Sequence, residues 1–148
     1  MSATKDLLAN ASRPAEERGH APRPSVVVVR PAGPTDTRQR LPNFVGISEA
    51  TAGSVGIGMN LVVVPAGGAA APHSHAGFET AIYVLRGRIE TRWGDGLRET
   101  SVVEAGDFLY IAPGVPHQPV NLSDSEDALA VVARNTATEQ ETVVPYDG

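Results

Sequence analysis

Apolar and polar positions alternate with a period of two along much of this chain, and glycine or proline interrupts the pattern every few residues. Arg88, Glu90 and Arg92 hold one phase while Ile89, Thr91 and Trp93 hold the other, which predicts a strand with one solvated face. Gly94-Asp95-Gly96 closes a hairpin from that strand into another over Arg98–Val103. Ala105-Gly106-Asp107 then turns into a strand over Phe108–Ile111. Further strands are predicted at Val26–Val29, Phe44–Ile47, Ile57–Val64 and Ala128–Ala133, with Glu141–Val144 as a last edge strand. Ala81–Leu85 is apolar throughout, as expected of a strand buried on both faces. No stretch carries the periodicity of a long amphipathic helix. Many short valine-rich strands between turns predict an all-β sandwich or barrel.

Residues 1–24 stand apart from this pattern. Thr4–Ala9 has the makings of a short helix, but Pro14, Gly19, Pro22 and Pro24 with Glu16, Glu17 and Arg18 predict a mobile tail. Residues 25–148 are then expected to form one β domain, since 148 residues suffice for a single buried core. The net charge of −5 and the scattered basic residues argue against nucleic acid as a partner. The absence of cysteine removes disulfides, cysteine-ligated zinc, iron–sulfur clusters and a catalytic thiol. The N-terminus lacks an apolar core of signal-peptide length, and no run approaches the ~20 apolar residues that span a bilayer. No membrane partner and a cytoplasmic location are the expectations.

The chemistry is concentrated in two segments. Gly67-Gly-Ala-Ala-Ala-Pro-His73-Ser-His75-Ala-Gly-Phe-Glu79 is followed by Gly106-Asp107-Phe-Leu-Tyr-Ile-Ala-Pro113-Gly114-Val-Pro116-His117-Gln-Pro-Val-Asn121. They hold three of the four histidines, and the fourth, His20, lies in the tail and is given no role. On a strand, residues i and i+2 share a face, so His73 and His75 would project together with Cα atoms roughly 6–7 Å apart. Two such imidazoles can converge on one metal ion, and a third histidine and a carboxylate from elsewhere would complete a ligand set.

The two segments resemble the paired motifs of the cupin superfamily, G-x5-H-x-H-x3/4-E-x6-G and G-x5-P-x-G-x2-H-x3-N. Gly67, His73, His75, Glu79 and Gly87 answer to the first, and Gly106, Gly114, His117 and Asn121 to the second. The resemblance covers about residues 57–134. It implies a small antiparallel β-barrel of jelly-roll type in which His73, His75, Glu79 and His117 hold one divalent metal. Two departures stand out. Seven residues rather than six separate Glu79 from Gly87, and Thr80 takes the place that the longer spacing gives to glutamate. Glu79 is favoured as the fourth ligand because threonine is a poor one. In the second motif Ala112 stands at the proline position and Pro113 one place later.

Three imidazoles and a carboxylate suit Fe, Mn, Ni, Co or Zn, with open positions for water, dioxygen or a chelating substrate. Tyr83, Tyr110, Trp93, Phe78 and Met59 are expected to line an apolar cavity, with Glu79, Tyr83 and Tyr110 as the candidates for proton transfer. Gln118 and Asn121 are candidate partners for the His117 ring or for a ligand. What the resemblance implies is a metal-dependent enzyme on a small organic substrate, of dioxygenase, isomerase or polyketide-cyclase type. The alternative is a non-catalytic small-molecule binding or sensing domain. A homodimer that covers the Val26–Val29 strand is also expected.

Overall fold

The computed structural model describes residues 25–38, 40–138 and 143–148. The expected N-terminal tail and His20 lie outside the described residues. Ten strands follow in order: β1 (Asn43–Ile47), β2 (Gly58–Val64), β3 (His73–His75), β4 (Thr80–Arg86), β5 (Arg88–Trp93), β6 (Glu99–Glu104), β7 (Phe108–Ile111), β8 (His117–Asn121), β9 (Ala128–Arg134) and β10 (Val143–Pro145). They form two five-stranded sheets, β1-β2-β9-β4-β7 and β10-β3-β8-β5-β6. Every strand pairing in both sheets is antiparallel. One short helix, α1 (Glu49–Ala52), is capped by Ser48, whose side chain and backbone exchange hydrogen bonds with Thr51.

The two sheets face each other across a core of Leu41, Val64, Ala70, Val84, Ile89, Val103 and Ala128. Alternation decides which residues enter it. In β4, Thr80 and Val84 are buried while Ala81, Tyr83 and Leu85 are exposed. The expectation that Ala81–Leu85 is buried on both faces is therefore wrong: the outer side of this sheet is open, so alternate apolar residues meet solvent. In β9, Ala128, Ala130, Val132 and Arg134 are the buried phase. That phase carries an arginine into the interior at the strand's last position.

Gly87, between β4 and β5, has φ of +89°, and a Cβ there would stand 2.8 Å from that of Ala128. Only glycine takes this conformation and allows the close approach without strain. The predicted strand at Val26–Val29 does not form. These residues pair with nothing in the sheets, and Val26 is 96% exposed. A valine run alone does not make a strand, because β propensity reflects packing against neighbours that these exposed residues do not have.

Candidate metal centre

β3 is only three residues long, yet it sets the site. His73 and His75 are both buried, with Ser74 between them on the other face. β8 is its antiparallel neighbour, and the pairing register places His117 directly across from His73. On the other side β10 covers the strand, with Val143 opposite His75. The turn at Pro113-Gly114 aims His117 inward, and the Gly114 amide donates to the His75 carbonyl oxygen at 2.9 Å. One turn thus fixes the two histidine segments relative to each other.

The three imidazoles come together: His73 and His75 share a face as their i, i+2 spacing predicted, and His117 joins them as the resemblance implied. Each offers a ligand nitrogen within 4.8 Å of the others, and the rings of His73 and His117 lie 4.3 Å apart. Nδ1 of His73 donates to the Ala71 carbonyl at 2.7 Å, and Nδ1 of His117 donates to that of Val115 at 2.9 Å. A carbonyl oxygen only accepts, so the protons sit on Nδ1 and the lone pairs on Nε2. That tautomer is the one an Nε2-ligating histidine needs, with its outer nitrogen anchored by the backbone.

Burial holds all three rings neutral. Loss of solvation is the largest cause in each case and brings His73 down to about 4, His117 to about 3 and His75 to about 2. The Arg134 guanidinium adds to the lowering at every one of them, and it is the second cause at His75.

Arg134 is the residue the sequence reading missed. Its Nη2 donates to Nε2 of His75 at 3.2 Å, and its Nε donates to Oγ1 of Thr80 at 3.1 Å. With Nε2 accepting, His75 carries its proton on Nδ1, and that buried atom has no hydrogen-bond partner. An orphaned buried donor costs about 1–3 kcal/mol, which marks the His75 ring as held for something other than stability.

The expected fourth ligand is not brought to the cluster. Glu79 lies just before β4, on its outer side, where Tyr110 donates to its carboxylate at 2.9 Å. Thr80, not Glu79, takes the inward phase with Val84. Tyr83 and Tyr110 are likewise on the outer face: Tyr83 packs on Phe108 at 4.8 Å, and Tyr110 is 60% exposed. The Glu79 hydrogen bond is the main cause that raises the Tyr110 phenol above its ordinary value.

A partly open cavity lies between the sheets beside the histidines. None of the expected aromatics or Met59 lines it; its walls are aliphatic, with His73, His117 and Arg134 among the polar members. Gln118 and Asn121 do not serve the site either. Gln118 donates to Ala70, and Asn121 donates to Val64 and Glu126 while accepting from the Ser123 amide. Both tie loops to β8.

The donor set fits a divalent first-row ion: three neutral imidazoles, two with fixed tautomers, in a pocket otherwise poor in polar groups. Comparison with known proteins gives the family. The model of the Cupin domain family matches residues 60–133, half of the 148-residue chain. This chain is a cupin. No curated protein sequence matches it significantly.

Solved structures share the fold at low identity. Oxalate oxidase in complex with glycolate aligns at 24% identity and a TM-score of 0.65, covering 89% of this chain and 67% of that one. The polyketide cyclase RemF of Streptomyces resistomycificus aligns at 23% and 0.60, covering 85% of this cupin and 83% of the cyclase. The oxalate decarboxylase of Lactobacillus farciminis, in a formate complex, aligns at 18% and 0.63 over 76% of this chain. The cupin spans only 32% of that decarboxylase.

Proposed function

We propose that this cupin is a metal-dependent enzyme acting on a small organic substrate, with His73, His75 and His117 holding one divalent ion of Fe, Mn, Ni, Co or Zn. What supports the reading above all is the set of three buried, neutral imidazoles whose ligand nitrogens lie within 4.8 Å of one another. When bound, such an ion supplies Lewis acidity and open positions for dioxygen or for a chelating oxygen of the substrate. The chain's own part is to hold the rings neutral, keep Nε2 of His73 and His117 turned inward, and enclose the substrate in aliphatic walls. Dioxygenase, isomerase or polyketide-cyclase chemistry is the finer proposal, and the likeness to an oxalate oxidase and a polyketide cyclase supports it at the level of fold. Glu79, Tyr83 and Tyr110 are left out of the proposed catalytic set, because their side chains face away from the cavity.

The second reading is a binding or sensing domain without turnover. One observation favours it: Arg134 already supplies a hydrogen bond to Nε2 of His75, so that lone pair is occupied with no ion needed. Elemental analysis of tag-free protein, beside a His73→Ala/His75→Ala variant, separates the two. Near-stoichiometric metal that vanishes in the variant supports the enzyme; no metal after reconstitution supports the binding domain.

A homodimer belongs to the same proposal. Its support is the apolar outer face of β4 and β7, where Phe108 is 81% exposed beside Tyr83. Sedimentation as a monomer at micromolar concentration removes it.

A further inference from the structure

Asn43 on β1 is 3% exposed and lines the cavity, and its Oδ1 has no hydrogen-bond partner. The backbone around it is fixed on both sides. The Asn43 amide donates to the Thr35 carbonyl at 3.1 Å, its own carbonyl accepts from the Thr35 amide at 2.8 Å, and its other neighbour is Val62 on β2. A buried acceptor without a partner is costly to the fold. Leucine has nearly the same branching and would remove that cost, so stability alone gives no reason for an amide at this position.

The other polar groups of the cavity wall do not relieve it. The Thr37 hydroxyl donates to the Leu41 carbonyl at 2.9 Å and accepts from the Leu41 amide at 3.2 Å. Among the described residues that line the cavity Arg134 alone is charged, and its guanidinium is engaged by Thr80, by His75 and in a further interaction. It also belongs to the other end of the space. Asn43 pairs with Val62, which pairs with Ala130 on β9, four residues before Arg134. Four residues of strand are roughly 13 Å, so Asn43 lies away from the His75 end. The walls around it are Leu41, Val62, Val64 and Ile89.

Those surroundings select the group that can enter. A carboxylate has no proton to give Oδ1 and would be desolvated among aliphatic side chains, and an ammonium would be desolvated there without a counter-charge. A carbonyl or an ether only accepts. A hydroxyl is the smallest neutral group that donates, and it recovers the cost of the unpaired acceptor.

We infer that this cavity takes a small uncharged molecule with an apolar body and an alcoholic or phenolic hydroxyl that donates to Oδ1 of Asn43, at the end away from His75. The inference rests on this cavity being the substrate site of the proposed function, and it names the class of ligand for it. Asn43 is then a specificity-determining residue that sorts hydroxylated bodies from bare ones of the same shape.

Calorimetric titration of the purified full chain with 4-hydroxyacetophenone and with 4-methylacetophenone tests it, since the two differ only by a methyl in place of the hydroxyl. The hydroxylated probe should bind about tenfold or more tightly, as expected where a buried acceptor is left unpaired by the analogue. Asn43→Leu should erase that preference, and the ligand-free variant should unfold at the same temperature as the wild type or higher, because an unpaired polar group has been removed. Equal binding of the two probes by the wild-type protein overturns the inference, and so does failure of both to bind at millimolar concentration; these readouts stand even if the variant does not fold. Persistence of the preference in Asn43→Leu overturns it too, because the hydroxyl would then be read elsewhere. A marked fall in the variant's unfolding temperature would make the amide a structural group and would also contradict it. Metal analysis of the same samples keeps this inference apart from the proposed function. Bound metal without a hydroxyl preference sinks only the ligand class, and a hydroxyl preference without metal supports the ligand class and sinks only the metal.

Discussion

Nη2 of Arg134 stands 3.2 Å from Nε2 of His75, so a permanent cation and a ligand lone pair share one buried position. Metal binding at His75 must displace that hydrogen bond and accept the nearby charge. Removing the charge should therefore help the ion. Arg134→Gln is expected to tighten divalent metal binding by about tenfold, the effect of a like charge at close range in a partly screened interior. Competition against a chromophoric chelator measures it. Weaker binding in the variant would mean that Arg134 chiefly supports the ligands through Thr80.

The histidines make stability depend on pH with a defined sign. Their folded values are depressed below the ordinary 6.5, to about 4, 2 and 3 for His73, His75 and His117. The unfolded chain thus binds protons first as pH falls. The stabilisation is complete above about 6.5 and is lost progressively as pH drops toward 4 and below. Between pH 7 and pH 5 the metal-free protein should lose on the order of 1–2 kcal/mol per histidine. Urea denaturation at the two pH values checks this, and His117→Gln should lessen the loss. An unchanged midpoint would mean the rings are protonated or solvated in the folded state.

Asn121 looks like a site residue in the motif but acts as a clamp. Its amide donates to the Val64 carbonyl at 2.9 Å and to that of Glu126 at 2.8 Å, and its Oδ1 accepts from the Ser123 amide at 2.8 Å. Asn121→Ala leaves those buried backbone groups unpaired and should cost about 2–4 kcal/mol. Metal stoichiometry at 20 °C, roughly room temperature, should not change. Thermal unfolding and elemental analysis together test the assignment; loss of metal from a folded variant would return Asn121 to the site.

Much of the site was legible because strand parity is a strict rule. His73 and His75 share a face at i and i+2, and His117 meets them through a turn that glycine and proline announce. Glu79 was favoured as the fourth ligand on ligand chemistry, because threonine is a poor ligand and the Ala76–Phe78 loop, which can reset the phase, blocks any parity argument carried forward from His75. Traced backward from Val84, parity gives Thr80 inward and Glu79 out. Arg134 had a signal too: the alternation Ala128, Ala130, Val132 continues to it, but the strand was expected to end at Ala133. The cavity aromatics failed for a different reason. Tyr83 and Tyr110 are apolar enough for a core, yet their phase faces the open side of the sheet, and apolar character alone does not choose a side.

Cobalt titration of chelator-treated protein, followed by visible absorption, tests the metal site most directly. The account predicts saturation at about one ion per chain with ligand-field bands, both lost in His117→Ala. Binding that does not saturate, or that survives unchanged in His117→Ala, would contradict a three-histidine centre.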